Sequence, residues 1–327
     1  MVRRYELPKK GTGKISVSPS AKASDPARIN GQTFLEITFH GKYRGDVLYK
    51  YLPYVESKAY QMRSENRVLM VYTNSSNFRW EKTTLIHPST FETMAMSINL
   101  KRSVLDDINL FIRRKEFYKK VGKAWKRGYL LYGPPGTGKS SLVAAIANYL
   151  SFDIYDLQLT GVQDDSSLKK LLLGTKNASI LLLEDIDRSL PIQTNPKGGE
   201  LSLAGLLNCN DGIWSSCGEE RIIIFTTNHK ETLDLALLRP GRMDVHIHMG
   251  YCCFEAFVTL ASNYLGLDED ALQRLFPEVK RLISKDVITP AEVAEELMKS
   301  EIVEVAMGNL VKVLESRSSV SEDDRGR

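Results

Sequence analysis

A glycine-rich segment near the middle of the chain combines the residue types that hold a phosphate group. Residues 133–140 read Gly-Pro-Pro-Gly-Thr-Gly-Lys-Ser and fit the pattern G-x-x-x-x-G-K-[ST]. The glycines let backbone N–H groups turn inward around a phosphate because no Cβ is in the way. Lys139 can reach the outer phosphates of a nucleoside triphosphate, and Ser140 can offer its hydroxyl to Mg²⁺. The predicted nucleotide-binding residues are Gly133, Pro134, Pro135, Gly136, Thr137, Gly138, Lys139, Ser140 and Ser141.

Two acidic residues follow an apolar run about 45 positions after this loop. The run Ile-Leu-Leu-Leu at 180–183 is typical of a parallel strand that is buried on both faces. Carboxylates at the end of such a strand lie where ligands bind in open α/β sheets. By position, we expect Glu184 to share Mg²⁺ with Ser140 and Asp185 to polarise the attacking water. A charged strand end that only faces solvent is the alternative.

Residues suited to phosphoryl transfer also follow the next apolar strand. Asn228 ends the run Ile-Ile-Ile-Phe-Thr-Thr-Asn and can reach between the outer phosphate and the water. Arg239 and Arg242 flank a Pro-Gly turn, and guanidinium groups suit the spread charge of a phosphoryl-transfer transition state. Because no helix between them and Asn228 obviously returns them to the same pocket, we expect them to act on a neighbouring subunit. A surface salt bridge stays an alternative for either arginine.

The elements that must position these residues alternate between strand and helix. An apolar strand precedes the glycine-rich loop and a helix follows it, which separates a true phosphate-binding loop from a chance match. Strands separated by helices of this length predict a parallel sheet with helices on both faces. We place strands at 128–132, 153–157, 180–183, 221–226 and 245–248, and helices at 139–150, 166–173 and 201–213. From residue 254 to about 314 only helical patterns follow.

Four segments together resemble the AAA ATPase family. They read GPPGTGKS, LLLEDID, FTTNH and LLRPGRMD, in that order along the chain. The longer segments KAWKRGYLLYGPPGTGKSS, GLLNCNDGIWSSCGEERIIIFTTNH and ITPAEVAEELM are similar to the plant AAA ATPases of the Bcs-one type. That group is related to the mitochondrial chaperone that translocates the Rieske iron–sulfur protein. In the Bcs-one type the usual order of the two acids is Glu before Asp, as in Glu184-Asp185 here. Other ATPases with this phosphate-binding loop usually have Asp before Glu.

The resemblance implies an ATP hydrolase that uses ATP and Mg²⁺, forms a ring of six or seven copies of itself and remodels a protein client. Its catalytic residues would be Glu184, Asp185, Asn228 as the first sensor, and Arg239 and Arg242 as fingers. The implied fold is α/β, with an AAA core around a parallel five-stranded sheet, a C-terminal helical lid and a small N-terminal α+β module. We expect a flexible basic arm at 1–31, the module at 32–96, the core at 97–249, the lid at 250–315 and a polar tail at 316–327.

Two features depart from the group. Its members usually carry a transmembrane helix near the N-terminus, and no apolar run here reaches the roughly 18–20 residues that a span needs. A truncated form, a shortened gene model and a soluble paralogue stay open, and so do the mitochondrial or endoplasmic-reticulum membrane, the cytosol and the matrix. The loop at 159–165 has no aromatic residue, whereas many AAA unfoldases use one to thread a chain. A folded client is compatible with this loop.

Composition and charge limit the remaining function classes. Hydrophobic residues make up 43% and charged residues 26% of the 327 positions, which argues against global disorder or a coiled coil. Residues 97–327 carry 29 Lys and Arg against 32 Asp and Glu, so we expect no nucleic-acid partner. Residues 1–96 are basic, with 15 against 8. The alternatives left open are a nucleotide-gated scaffold with little hydrolysis and a small-molecule kinase built on the same loop.

Overall fold

The chain divides into two compact units, Met1–Arg67 and Val68–Arg327. The computed structural model describes residues 2–6, 12–18, 28–29, 32–33, 35–55, 57–58, 68–75, 79–162, 164–189, 220–285 and 288–325. The helix predicted at 201–213 lies outside the described residues.

The first unit contains a small antiparallel sheet. Strand β2 pairs with β1 on one side and β5 on the other. The strands are β1 Val2–Glu6, β2 Thr12–Ser18, β3 Arg28–Ile29, β4 Gln32–Thr33 and β5 Leu35–His40, and helical turns follow at Gly41–Tyr43, Arg44–Asp46 and Val47–Tyr51. Residues 1–31 were expected to form a flexible arm, but β1 and β2 lie within them. The Lys-Ile-Ser-Val alternation inside β2 has the two-residue period of a strand, which the surrounding Pro and Gly content obscured.

The second unit is built on a seven-stranded sheet. Its strands are β6 Met70–Asn74, β7 Trp80–Thr84, β8 Lys126–Tyr132, β9 Asp153–Asp156, β10 Ser179–Leu183, β11 Arg221–Thr227 and β12 Val245–His248. They lie in the order β12-β8-β11-β10-β9-β6-β7, and all neighbours are parallel except the pair of β6 and β7. The α/β fold with the five predicted parallel strands is confirmed, and two further strands extend it.

The two added strands come from the segment that the sequence analysis assigned to the N-terminal module. Strand β6 joins the sheet beside β9. The Tyr72 and Tyr155 rings stack with 4.5 Å between their centroids. The side-chain amide of Asn74 donates to the carbonyl of Gln158 at 3.1 Å and accepts from the backbone N–H of the same residue at 2.8 Å. These contacts hold the β6–β7 hairpin on the sheet, so the second unit begins at residue 68 and not near 97.

Helices cover both faces of the sheet because its inner strands are apolar on both sides. Along β11, Ile222 and Ile224 face one core cluster, while Ile223 and Phe225 face the other. The helices of this part are α1 Ile98–Arg113, α2 Lys115–Lys120, α3 Lys139–Leu150, α4 Asp165–Leu173 and α5 Ile186–Ser189. The first core cluster includes side chains of α1 and α3, and the second includes side chains of α4.

Five helices after the sheet form a lid with its own buried core. They are α6 Phe254–Leu265, α7 Glu269–Leu275, α8 Pro277–Ile283, α9 Pro290–Met298 and α10 Val303–Arg325. Leu314 and Ser318 of α10 are buried, so this helix continues through most of the segment that was expected to be a polar tail. Within the expected tail, the buried Ser318 donates its hydroxyl to the carbonyl of Leu314 at 2.8 Å. In the described part of the chain, none of the helices is long and apolar enough to cross a membrane.

A close approach of two backbones makes glycine necessary at position 128. The N–H of Gly128 donates to the carboxylate of Asp244 at 2.9 Å, and the N–H of Asp244 donates to the carbonyl of Gly128 at 2.8 Å. A Cβ at Gly128 would meet the carbonyl group of Arg242. We therefore expect Gly128→Ala to lower the free energy of unfolding by about 1–3 kcal/mol, because the strand or the turn must shift.

Chemical or thermal unfolding of the purified variant checks this prediction. Gly308→Ala is the matched control, because a Cβ there meets nothing within 4 Å inside α10 and should stabilise the helix by roughly 0.5–1 kcal/mol. Equal stability of wild type and Gly128→Ala would contradict the prediction.

Candidate nucleotide site

The phosphate-binding loop, residues 133–140, connects β8 to α3 with a strongly turned backbone. Gly133, Gly136 and Gly138 have φ values of 141°, 79° and 90°, a region that favours glycine. At Gly133 a Cβ would also meet the carbonyl of Met249, which follows β12. The hydroxyl of Thr137 donates to the carbonyl of Pro134 at 2.9 Å and closes the turn. The predicted loop therefore has the compact form that can surround a phosphate.

Lys139 is the central side chain of the site. It is only 9% exposed, and its ammonium donates to the carbonyls of Gly133 at 2.8 Å and Pro134 at 2.9 Å. Its third hydrogen bond, at 2.8 Å, goes to Oδ1 of Asn228. All three donors of the ammonium are thus used. Burial lowers the pKa of Lys139, while the charges of Asp185 and Asp187 act in the opposite direction.

Three neighbouring strands bring the predicted residues together. Strands β8, β11 and β10 are adjacent and parallel, so their C-terminal ends lie at one edge of the sheet. The loop follows β8, Asn228 follows β11, and Glu184 follows β10. The hydroxyl of Ser140 donates to Oε1 of Glu184 at 2.8 Å across this edge. The site lies where open α/β sheets bind ligands.

The oxygen atoms of Ser140 and Glu184 fit Mg²⁺. This ion prefers oxygen ligands and usually takes one or two carboxylates together with water and substrate phosphates. The described residues contain no cluster of three or more His, Cys, Asp or Glu side chains that would favour a different metal site. Ser140 and Glu184 would therefore hold Mg²⁺, and the ion would neutralise phosphate charge there.

Asp185 has an unusual backbone conformation. Its φ is 46°, in the left-handed region, which Asp tolerates better than most residues. The N–H of Asp185 donates to the Thr226 hydroxyl at 3.1 Å, so β11 supports this turn. At Asp185 the backbone therefore leaves the direction of strand β10, directly after Glu184. Backbone strain of this kind is common at active sites, where it sets the direction of a side chain.

Sequence reasoning missed the polar residues that support the acids. The Thr227 hydroxyl donates to Oδ1 of Asp187 at 2.7 Å and also accepts from the N–H of His229 at 3.0 Å. With Thr226, these residues connect the ends of β10 and β11 beneath the site. The motifs LLLEDID and FTTNH already contain Asp187, Thr226 and Thr227, next to the predicted site residues Asp185 and Asn228.

The two arginines lie on the turn after Leu238. The carbonyl of Arg242 lies against Gly128, near the start of β8, whereas Leu238 lines a cavity of about 530 Å³ together with Gly133, Pro134 and Asn228. Arg242 donates to the carbonyl of Ala236 at 2.6 Å, and Arg239 is exposed. The carboxylate of Asp244 accepts from the N–H of Gly241 at 2.8 Å and so shapes the turn between them.

A cavity of about 170 Å³ lies on the lid side of the loop. Its walls come from the segment before α1, the loop, the residues after β12 and the start of α9. No local sequence pattern predicts this cavity, because its walls come from distant parts of the chain. The lining residues include Met96, Ser97, Thr137, Gly250, Tyr251 and Pro290.

Comparison with known proteins agrees with this architecture. Residues 129–251 match the model of the ATPase family associated with various cellular activities (AAA), and residues 252–326 match an At3g28540-like AAA+ ATPase lid domain. The chain is 60% identical to AAA-ATPase At5g17760 of Arabidopsis thaliana over 302 residues, which are 89% of this chain and 60% of that protein.

Other Arabidopsis thaliana proteins are also similar. AAA-ATPase At5g17750 is 56% identical over 274 residues, covering 80% of this chain and 70% of that protein. Protein HYPER-SENSITIVITY-RELATED 4 is 49% identical over 313 residues, covering 89% of this chain and 54% of that protein. The chain thus spans a little more than half to about two thirds of the curated relatives it matches.

The chain belongs to the AAA ATPase family. Members of this family hydrolyse ATP with Mg²⁺, and oligomeric assembly is general in the family.

We expect Lys139→Ala to abolish ATP binding, with an affinity at least about 100-fold weaker, because the phosphate charge loses a charge-assisted donor and the loop loses three hydrogen bonds. Isothermal titration calorimetry with ATP and Mg²⁺ measures the change. Lys176→Ala is the matched control, because that ammonium donates to the Tyr72 hydroxyl at the other side of the sheet. Wild-type ATP affinity of Lys139→Ala would disprove the role assigned to the loop.

Proposed function

We propose that this protein hydrolyses ATP within a ring of six or seven copies and uses the cycle to remodel or translocate a protein client, as an AAA ATPase of the Bcs-one type. The observation that carries the proposal is the exposure of Arg239 on a turn whose backbone packs against Gly128, near the start of β8 and not at the strand end that leads into the phosphate-binding loop. A site that holds the phosphates at one end of β8 and offers guanidinium groups at the other is complemented by a second copy.

The segment before the two arginines supports contact with a neighbouring copy. Leu235 is 79% exposed and is therefore accessible to an apolar surface of a neighbouring copy. Arg239 follows four positions later and is also exposed. An apolar contact at Leu235 would orient the guanidinium of Arg239 toward the nucleotide of the next copy. Arg242 is tied to Ala236 and would hold the turn.

Each side chain at the sheet edge has a defined task in hydrolysis. Lys139 binds the outer phosphates, since its ammonium lies among the loop carbonyls. Asn228 already contacts Lys139 and is positioned to orient both the phosphate and the attacking water. Asp185, on its turned backbone, would accept a proton from that water. Ser140 and Glu184 bind the Mg²⁺ that supplies charge neutralisation.

The lid-side cavity suits the base of the nucleotide. It adjoins Thr137 of the loop, and its other walls are mostly apolar or backbone. A flat heterocycle attached to phosphates at the loop would enter between Met96 and Tyr251. The proposal therefore assigns the adenine to this cavity. Because residues of the lid line the cavity, the lid would contact the bound nucleotide directly.

The loop after β9 supports a folded client. Leu159–Gly161 forms a short helical turn, and both Leu159 and Val162 are buried. The loop sequence contains no aromatic residue that could grip an extended chain. Remodelling would then act on a folded domain held by the ring and not by threading.

We expect Arg239→Ala to keep ATP affinity while losing most of the turnover, at least about tenfold, because transition-state charge loses its partner. Arg242→Ala should lose turnover and also lower the melting temperature, since its bond to Ala236 supports the turn. Phosphate release measures turnover, and light scattering with ATP measures assembly.

Mixing tests whether the arginine acts between copies. Arg239→Ala combined with the Glu184→Gln/Asp185→Asn double variant should recover part of the activity, because mixed rings contain sites with both an intact acid pair and an intact arginine. Mixed rings without any recovery argue against action between copies. Slow phosphate release by the wild type under all conditions would favour the nucleotide-gated scaffold.

The same double variant tests the client. Because it should bind ATP without hydrolysing it, we expect client protein to co-purify with it in ATP and to be released in ADP. Lys139→Ala is the matched control, since it should retain no client in either nucleotide. Equal recovery of the same proteins with both variants would count against nucleotide-dependent client handling.

A further inference from the structure

The start of α9 in the lid touches the middle of the phosphate-binding loop. The N–H of Ala291 donates to the carbonyl of Gly136 at 3.1 Å. A Cβ at Gly136 would lie 3.2 Å from both Thr289 Oγ1 and Ala291 Cβ, so the two segments pack closely. The lid therefore contacts the loop where phosphate must bind.

This contact controls the direction of a phosphate-binding N–H group. The carbonyl of Gly136 and the N–H of Thr137 belong to one trans peptide and point in opposite directions. Because the carbonyl of Gly136 accepts from Ala291 on the lid side, the N–H of Thr137 points away from the lid. A tilt of this peptide would weaken a hydrogen bond to phosphate without removing any residue that touches it.

Glu292 fixes the turn that carries Ala291. Its Oε2 accepts from both the N–H and the hydroxyl of Thr289, each at 2.8 Å. The N–H of Glu292 donates in return to the Thr289 hydroxyl at 3.4 Å. This reciprocal arrangement is a capping box, which sets the backbone at the first turn of α9.

Arg317 of α10 holds the other oxygen of this carboxylate. Its Nη2 donates to Oε1 of Glu292 at 2.7 Å. That contact is the main reason why the pKa of Glu292 falls to about 2, and the carboxylate is therefore charged at neutral pH. The side chains are 40% and 37% exposed, and ion pairs of this exposure contribute little to global stability. The position of Glu292 is what the pair can determine.

We propose that Arg317 is a positioning residue of the nucleotide site, which acts through Glu292, Thr289 and Ala291 to orient the Gly136–Thr137 peptide and thereby sets the affinity for the phosphates of ATP. The inference rests on the proposed ATPase function and adds a residue from the far end of the lid to it. Because Arg317 acts here through the Glu292 carboxylate, its effect is on binding and not on the chemical step.

Substitution of Arg317 tests the inference in the full chain. Arg317→Ala should raise both the Kd and the KM for ATP by about 3- to 10-fold, with kcat within about twofold of wild type. Arg317→Lys keeps the charge and should recover most of the affinity. Lys299→Ala is the matched control, because Lys299, directly after α9, forms a 2.6 Å ion pair with Glu296 of that helix, and its loss should leave the Kd unchanged.

Glu292→Gln provides the second arm, since Gln retains the capping box but weakens the pair with Arg317. It should reproduce the loss of ATP affinity. If both residues act along one path, the Glu292→Gln/Arg317→Ala double variant should bind ATP no more weakly than the weaker-binding of the two single variants. This arm also decides the question if Arg317→Ala does not fold.

Unchanged affinity in Arg317→Ala and Glu292→Gln, or an equal loss in Lys299→Ala, would overturn the inference. A fall in kcat with constant Kd would overturn it as well. Lys139→Ala separates this failure from failure of the proposed function. If Lys139→Ala abolishes binding while the Arg317 variants bind normally, only the role of Arg317 is wrong.

Discussion

The buried ammonium of Lys139 is the interaction on which the site depends. Its three hydrogen bonds join the first residues of the phosphate-binding loop to Asn228 at the end of the next strand. This arrangement requires β8 and β11 to end level with each other, which their parallel register ensures by pairing Tyr132 with Thr227. A slip of one residue would turn every side chain of a strand to the other face and separate these groups.

The two ends of β8 have different tasks. Its C-terminal end leads into the loop that holds the phosphates, whereas Gly128 near its start is locked to Asp244 and the arginine-bearing turn. Because a strand is nearly inextensible, the distance between the two ends is fixed. In a ring, each copy would bind a nucleotide at its own phosphate-binding loop and would present an arginine to the nucleotide site of the neighbouring copy.

The lid is connected to the loop by polar contacts and to its own core by apolar ones. Val293, Leu297 and Leu314 keep α9 and α10 together, while the hydrogen bonds around Glu292 set the first turn of α9 more finely. Packing gives the lid its stability, and the charged pair adjusts one peptide of the phosphate-binding loop. Stability and nucleotide affinity can therefore be changed by different residues.

Local sequence patterns predict the phosphate-binding loop and the central strands of the sheet. The glycine spacing predicts the loop, and apolar runs that end in Glu184 or Asn228 predict strands with a shared ligand edge. The five central strands follow from such patterns, because each depends on neighbouring residues. The left-handed backbone at Asp185 was not predictable in this way, since it rests on a hydrogen bond that the N–H of Asp185 donates to the hydroxyl of Thr226, 41 positions away.

The predicted site residues and the strands that present them follow from local sequence patterns, because the residue types and spacings for phosphate binding are local. Which distant segments complete the molecule depends on tertiary contacts. The hairpin of β6 and β7 joins the sheet through Asn74 and Gln158, which are 84 positions apart, and α10 extends past residue 316 by packing on the lid. Such pairings depend on surfaces that exist only after folding, so no short-range period in the sequence records them.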